Sequence, residues 1–396
     1  MKEVISEAFA YVDSHKEEIV ELWKDLVNTE TGLECKEGLD EAAEKLKTLF
    51  EAEGATVELK ANEISGKGIA ATFGADRPGE PIMFMGHYDT VFKRGTVAER
   101  PFTIEDGKAF GPGVLDMKGG VTIAFYAVKA LNHAGFSDRP IKLVLAGDEE
   151  IGHIHSHMVQ VFQDEAKGCK VAFNFETGDV NNSLVVGRKG NIKAEMEVKG
   201  VAVHAGREPE KGRNAILEIA HKVIDIQNLT DFDEGTTYNV GVIEGGTVPN
   251  AVPDYAKIRI DVRYLDAKLS DRIISQLKEI AAKTYIDGTS TTVSFIGTEG
   301  VLYKPMEKTE GNMKLFEHVR NVAGDLGFGN PPIEPIVSGG ASDSSYSVLA
   351  GIPTIDQFGV KGQWNHSPRE YAVVDSIFER IKLTVASVSR LEEVKL

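Results

Sequence analysis

The chain has 396 residues, 42% of them hydrophobic, and a formal net charge of −17 at pH 7. That length holds two domains of ordinary size, or one with an insertion, and the apolar share supports a buried core. The negative balance argues against a grip on a nucleic-acid backbone or an anionic membrane surface, two cysteines are no disulfide framework, and no run approaches the ~18 apolar residues of a membrane span.

The opening "MKEVISEAFAYVDSHKEEIVELWKDL" reads as an amphipathic helix without a signal-peptide core, so a cytoplasmic protein is expected. Helix-period patterns run roughly over 3–28 and 38–54, followed by the β-rich runs "ATVELKA", "GIAATFG" and "PIMFMGH". Next come a helix from about Lys118 to Ala134, the strand "IKLVLAG", a run over 153–167 that can be helical, and the strand "KVAFNFE". Strands alternating with helices predict an α/β fold, a mostly parallel sheet flanked by helices. Near "VVGRKG" the order changes. Strand "NIKAEMEVKGV", helix "GRNAILEIAHKVIDIQNL" and strand "TYNVGVIEGG" are followed by strand "AKIRIDVRYL", helix "LSDRIISQLKEIAAKT" and strand "TTVSFIGTEG". That is β-α-β-β-α-β, the split βαβ pattern of a small ferredoxin-like domain. Helix and strand signals resume after about 303, with a last helix near 374–393. The expected organisation is a discontinuous α/β domain of 1–188 and 304–396 with a small inserted domain of 189–303.

Sites in open α/β sheets are built at the carboxyl ends of strands. "PIMFMGH" delivers His87, with Asp89 two residues on; "IKLVLAGDEE" delivers Glu149 and Glu150; "KVAFNFE" delivers Glu176. "GPGVLDMKGG" puts Asp116 in a Gly/Pro-constrained turn before a helix, and "QWNHSPREY" puts His366 in a loop. Imidazole with carboxylate, and no thiolate, is a donor set for a borderline metal such as zinc. Asp116, Glu150 and Glu176 with one hydroxide balance two divalent ions better than one, which favours a co-catalytic pair. Asp89 is placed to orient the His87 ring from behind. Adjacent residues of an extended segment point opposite ways, so one of Glu149 and Glu150 can bind metal while the other acts as general base. The run "GHIHSHMV" adds His153, His155 and His157; the first and last, four apart, would share a face if the run were helical.

"GHYDTV", "GPGVLDMKGG", "DEE", "FETG", "HAG…PEKGRNAI" and the late "HS" occur in this order, and together they resemble the co-catalytic zinc exopeptidase and amidohydrolase family. That family includes glutamate carboxypeptidase, aminoacylase, acetylornithine deacetylase, succinyl-diaminopimelate desuccinylase and peptidase T. The spacing around "GHYDTVF" and "AFGPG" is most similar to the glutamate carboxypeptidase branch. The resemblance implies two Zn2+ per chain, replaceable by Co2+ or Mn2+, with His87 and Glu176 on one ion, Glu150 and His366 on the other, and Asp116 bridging. It implies Glu149 as general base, a cis peptide at Asp116–Met117, and an inserted lid that makes a homodimer. His204 of the lid would reach the partner's site and polarise the scissile carbonyl. Arg263, Asn250 and Gly340 would hold the substrate carboxylate.

The expected activity is hydrolysis of an amide or peptide bond next to a free C-terminal carboxylate, on N-acyl amino acids or short peptides. Aminoacylase, deacetylase and di- or tripeptidase activities are the neighbouring alternatives. A non-haem iron oxygenase triad would leave Asp116, Glu150 and Glu176 unused, and a catalytically inactive binding relative would have no need of Glu149. No nucleic-acid or membrane partner is expected.

Overall fold

The structure is a computed structural model that describes residues 2–297, 299–329 and 331–394. They form two compact units: Met1–Gly187 with Lys308–Ser338 and Ser342–Leu396, and Arg188–Glu307 with Gly339–Ala341.

Among the described residues of the first unit, a six-stranded sheet runs in the order Thr56–Lys60, Gly66–Phe73, Ile141–Gly147, Ile82–His87, Val171–Asn174, Thr354–Ile355. The last four strands are mutually parallel, whereas the first two pair antiparallel with each other and with Ile141–Gly147. The sheet is therefore mixed: a parallel group of four strands with two antiparallel strands added at one edge. The cause is local: the short link between Lys60 and Gly66 closes a hairpin, and a parallel crossover needs about a dozen residues. Every residue of Ile82–His87 is buried, as expected for a parallel strand covered on both faces. The helices Lys2–Ser14, Gly119–His133 and Val374–Ser389 pack on one another, and Lys36–Ala52 packs on Gly66–Phe73.

The long amphipathic pattern at the start is two helices, Lys2–Ser14 and Lys16–Asn28, rather than one. At the break, the Ser14 hydroxyl and His15 Nδ1 both lie within hydrogen-bond distance of the Tyr11 carbonyl, a local competition with the helical ladder. A second small sheet of the same unit escapes the periodicity reading because its strands are two or three residues long: Thr103–Glu105, Lys108–Phe110, Tyr371–Val373, Lys361–Gln363 and Gly178–Asp179.

The second unit is a four-stranded antiparallel sheet in the order Thr237–Gly245, Tyr255–Tyr264, Gly190–Lys199, Ser290–Ile296. Alternate residues of its strands (Ile192, Ala194, Met196, Val198; Ile258, Ile260, Val262) are buried with Ile219 and Ile226 of helix Ala215–Gln227 and Ile273 and Leu277 of helix Leu269–Ala282. Lys222 and Glu218, fully buried beneath those helices, pair at 3.0 Å, and Lys222 Nζ also caps the carbonyl of Ile280. No helix among the described residues is long and apolar enough to cross a membrane.

Candidate metal centre

Ile141–Gly147, Ile82–His87 and Val171–Asn174 are neighbouring parallel strands, so their carboxyl ends lie side by side. That register brings His87, the Glu149–Glu150 pair and Glu176 to one edge of the sheet, though up to 89 positions separate them in sequence. Asp116 arrives on the turn before helix Gly119–His133, and the Asp116–Met117 peptide is cis. The Glu370 carboxylate holds that turn by accepting the N–H groups of Gly113 at 3.1 Å and of Leu115 and Asp116 at 2.9 Å. His366 follows the short strand Lys361–Gln363 in a loop where Trp364 and His366 both have positive φ.

The side chains converge. His87 Nε2 lies 3.2 Å from Asp116 Oδ1 and 3.3 Å from Glu176 Oε1. His366 Nε2 lies 3.1 Å from Asp116 Oδ2 and 3.1 Å from Glu150 Oε2. Asp116 therefore presents one oxygen to each histidine. Glu149 Oε2 stands 4.0 Å from His87 Nε2. The donor atoms of His87, Glu149 and Glu176, and those of His87, Asp116 and Glu150, each fall within 4.8 Å of one another.

Burial of so many acids shifts their protonation. Desolvation pushes the Glu149 carboxyl well above the usual range, with the charges of Asp343, Glu176 and Glu150 adding to it. Desolvation, with the nearby charge of Asp116, raises Glu150 to about 7. Asp116 goes the other way: burial opposes its ionisation, but hydrogen bonds from His366 and His87 hold it below the ordinary carboxylate range. His87 is pushed well above an ordinary histidine, because contacts with Asp116, Asp89 and Glu176 outweigh its burial. His366 rises to about 11 through its bonds to Asp116 and Glu150. Protons on these histidines stand where a cation's charge is called for. Glu150 Oε1 is also buried with no hydrogen-bond partner among the described residues. An orphaned carboxylate oxygen amid imidazole and carboxylate donors fits a divalent ion.

Asp89 lies behind His87, its Oδ1 3.3 Å from Nδ1. It also does what the sequence did not show: its two oxygens accept the N–H groups of Glu149 at 3.1 Å and Glu150 at 3.0 Å. Those bonds fold Glu149–Ile151 into a 3-10 turn, so the two glutamates diverge from a turn and not, as expected, from an extended strand. Asn365 is another member that sequence reasoning missed; its Nδ2 donates to Asp116 Oδ2 at 2.9 Å.

The histidine run has no shared helix face, because the helix starts only at Met158. His155 and His157 are exposed, and neither joins a metal-spaced group among the described residues. His153 is buried, its Nδ1 2.8 Å from Asp148 Oδ1 and its Nε2 2.6 Å from Asp343 Oδ1. The charges of Asp343 and Asp148 overcome burial and push this histidine well above its ordinary value.

The remaining predicted residues belong to the second unit. His204 is exposed and takes the Gly206 N–H on Nδ1 at 3.1 Å, which leaves Nε2 as the donor in the neutral ring. Asn250 is exposed beside it, its carbonyl accepting the Ala205 N–H at 3.0 Å. Arg263 donates through Nε and Nη2 to Asp261 at 2.7 and 3.2 Å and through Nη1 to the Gly339 carbonyl at 3.4 Å. Arg188 Nη1 donates to the Gly340 carbonyl at 3.3 Å. Arg263 and Gly340 thus share one stretch of this unit, and His204 and Asn250 share another.

The sequence profile of Peptidase family M20/M25/M40 matches residues 83–390. Carboxypeptidase G2 of Pseudomonas sp. (strain RS-16) is 30% identical over 94% of this chain and 89% of its own. A succinyl-diaminopimelate desuccinylase of Rickettsia akari is 26% identical over 78% of this chain and 82% of its own. Among solved structures, aminopeptidase PepT from Bacillus cereus superposes with a TM-score of 0.78 at 24% identity, covering 95% of this chain and 99% of that one. The chain belongs to peptidase family M20/M25/M40. It is a metallopeptidase or amidohydrolase, a hydrolase of carbon–nitrogen bonds in small-molecule substrates.

Proposed function

We propose that the protein is a two-zinc hydrolase that cleaves an amide or peptide bond adjacent to a free C-terminal carboxylate. The observation carrying this reading is the Asp116 carboxylate, with one oxygen 3.2 Å from His87 Nε2 and the other 3.1 Å from His366 Nε2. In this reading His87 and Glu176 hold one ion, Glu150 and His366 the other, and Asp116 both. Ions bound there would polarise the scissile carbonyl and make water more acidic. Glu149 takes the proton of the attacking water and passes it to the leaving amine. Asp89 fixes the His87 ring and the turn that aims both glutamates. Arg263, Asn250 and Gly340 hold the substrate carboxylate. A guanidinium fork suits that task, and Arg263 must exchange part of its bond to Asp261 to perform it. The second unit serves as lid and dimerisation domain.

Two measurements test the reading. Chelation should abolish hydrolysis, Zn2+ or Co2+ should restore it, and the active protein should hold about two ions per chain. Full activity in a verified metal-free sample overturns the mechanism. Amidating the substrate C-terminus should depress kcat/KM strongly, and Arg263→Ala should do the same to the free acid. Both changes together should cost little more than either alone, since they remove one interaction. Equal hydrolysis of acid and amide rejects the carboxylate pocket.

A further inference from the structure

A single loop of the first unit, Trp364 to Glu370, carries His366 and reaches Asp116 from two sides. Asn365 Nδ2 donates to Asp116 Oδ2 at 2.9 Å. The Glu370 carboxylate accepts the backbone N–H groups of Leu115 and Asp116 on Oε1 at 2.9 Å, and that of Gly113 on Oε2 at 3.1 Å. The loop is tied so that these side chains keep their spacing. Trp364 and His366, on either side of Asn365, both have positive φ, which a residue with a Cβ holds only where its surroundings over-determine it. Here the Ser367 hydroxyl donates to the Trp364 carbonyl at 2.7 Å, and the Glu370 N–H donates to the Ser367 carbonyl at 3.1 Å. The Arg369 guanidinium lies 4.8 Å from the centre of the Trp364 ring. The Asp116 turn has supports of its own: the Trp23 indole N–H on the Val114 carbonyl at 3.1 Å and the Lys118 N–H on the Gly113 carbonyl at 3.0 Å.

The two contacts act on different parts of Asp116. A carboxylate only accepts, so the Asn365 amide presents its NH2 group and occupies one lone pair of Oδ2. The other lone pair of that oxygen is left for the side of His366, whose Nε2 lies 3.1 Å away. This hydrogen bond goes to Oδ2 and not to Oδ1, the oxygen 3.2 Å from His87 Nε2. Glu370 instead fixes the backbone from which both oxygens project.

We propose that Asn365 and Glu370 are positioning residues for Asp116 with separable effects. Asn365 orients Oδ2 and so sets the affinity of the ion held by Glu150 and His366, whereas Glu370 sets the affinity of both ions. The proposal rests on the two-ion reading above and adds the groups that let one carboxylate serve two sites. Neither residue touches an ion or the substrate in this assignment.

The test measures Zn2+ affinity rather than turnover. Metal-free protein is titrated with Zn2+ in competition with a chromophoric chelator, and wild type should take up two ions. Partners that orient metal ligands typically contribute about 10–100-fold in affinity. Asn365→Ala, at an exposed position, should weaken one ion by that factor and leave the other unchanged. In a Glu150→Ala background, which lacks a ligand of the affected ion, adding Asn365→Ala should leave the remaining ion unchanged. Glu370→Gln turns one acceptor oxygen into an NH2 group that faces a backbone N–H, and it should weaken both ions. If Glu370→Gln does not fold, Glu370→Asp, which keeps the charge and withdraws the carboxylate, gives the same readout. Affinities unchanged by Asn365→Ala, a loss at both ions, or a further loss in the Glu150→Ala background overturns the role of Asn365. A Glu370 effect confined to one ion, or none, overturns the role of Glu370. A wild type that takes up a single ion refutes the two-ion reading instead. Asn365 then still positions Asp116 if its removal weakens that ion, and an unchanged affinity overturns it.

Discussion

One turn gives the identical side chains of Glu149 and Glu150 different surroundings. Glu150 Oε2 faces His366 at 3.1 Å, while Glu149 Oε2 stands 4.0 Å from His87. Glu150→Ala should lower metal content. Glu149→Ala should keep both ions and lose ~10²–10⁴-fold in kcat, the usual cost of a missing general base. Metal loss from Glu149→Ala with retention in Glu150→Ala would exchange the two roles. Protonation adds a second test. With no metal bound, burial holds Glu150 near 7, so it carries its proton at pH 6 and has lost it by pH 8. His366, near 11, stays charged at both. Ligands must be deprotonated to bind and ion-bound water loses its own proton near neutral pH, so at saturating Zn2+ wild type should release about one more proton than Glu150→Gln at pH 6 and about the same number at pH 8. Calorimetry in buffers of different ionisation enthalpy reads that difference, and an equal difference at the two pH values rejects it. The clustering of these candidate ligands was legible because most of them follow an apolar strand or a Gly-rich turn in an ordered set of motifs. Glu370 was not legible. It acts on the Asp116 backbone from 254 positions away, and nothing in "PREY" marks an acid that caps a distant turn.

At the scale of elements, the buried Asp148–His153–Asp343 bridge joins the turn after strand Ile141–Gly147 to the loop before helix Ser344–Leu349. Ser65 adds a hydrogen bond to Asp148 Oδ2 at 3.1 Å. Removing the imidazole would leave two buried carboxylates without their cation, a change that typically costs ~3–5 kcal/mol. His153→Ser should therefore lower the thermal and urea midpoints clearly. His155→Ser and His157→Ser, at exposed positions, should fall within ~0.5 kcal/mol of wild type. Metal content of the folded triple variant should stay near that of wild type, and a fall by one ion per chain would make the run a ligand set. The same scale explains what the sequence revealed of the fold. Long runs with one clear period, such as "IKLVLAG" or the alternating residues of Gly190–Lys199, were readable because side-chain direction repeats along them. The antiparallel edge of the large sheet and the strands of two or three residues were not. Pairing direction is set by connection length, and so short a strand has no period.

For the whole molecule, the proposal to test is a homodimer in which His204 of one chain serves the partner's centre. Strand Thr237–Gly245 is an edge of the second unit's sheet and exposes Ile243 at 58%, while the adjoining helix Ala215–Gln227 exposes Ile216, Leu217 and Ile224. An unpaired edge beside apolar side chains is a template for pairing with a second copy. A C2 contact there would use the same patch on both subunits. The expected outcome is a homodimer by sedimentation, and Ile243→Lys with Ile224→Glu should make it monomeric. If His204 serves the partner's centre, His204→Ala and Glu149→Ala homodimers are both nearly inactive for different reasons. Mixed dimers then regain one complete site, with Glu149 from one chain and His204 from the other. Random reassortment of equal amounts makes about half the dimers mixed, each with one good site of two, so activity should recover to about a quarter of wild type. If His204 serves its own chain, every site in the mixed dimer lacks one of the two residues, and mixing restores nothing. Recovery near a quarter that disappears in the monomeric variant places His204 across the dimer. No recovery between stably dimeric, reassorted chains assigns it to its own subunit.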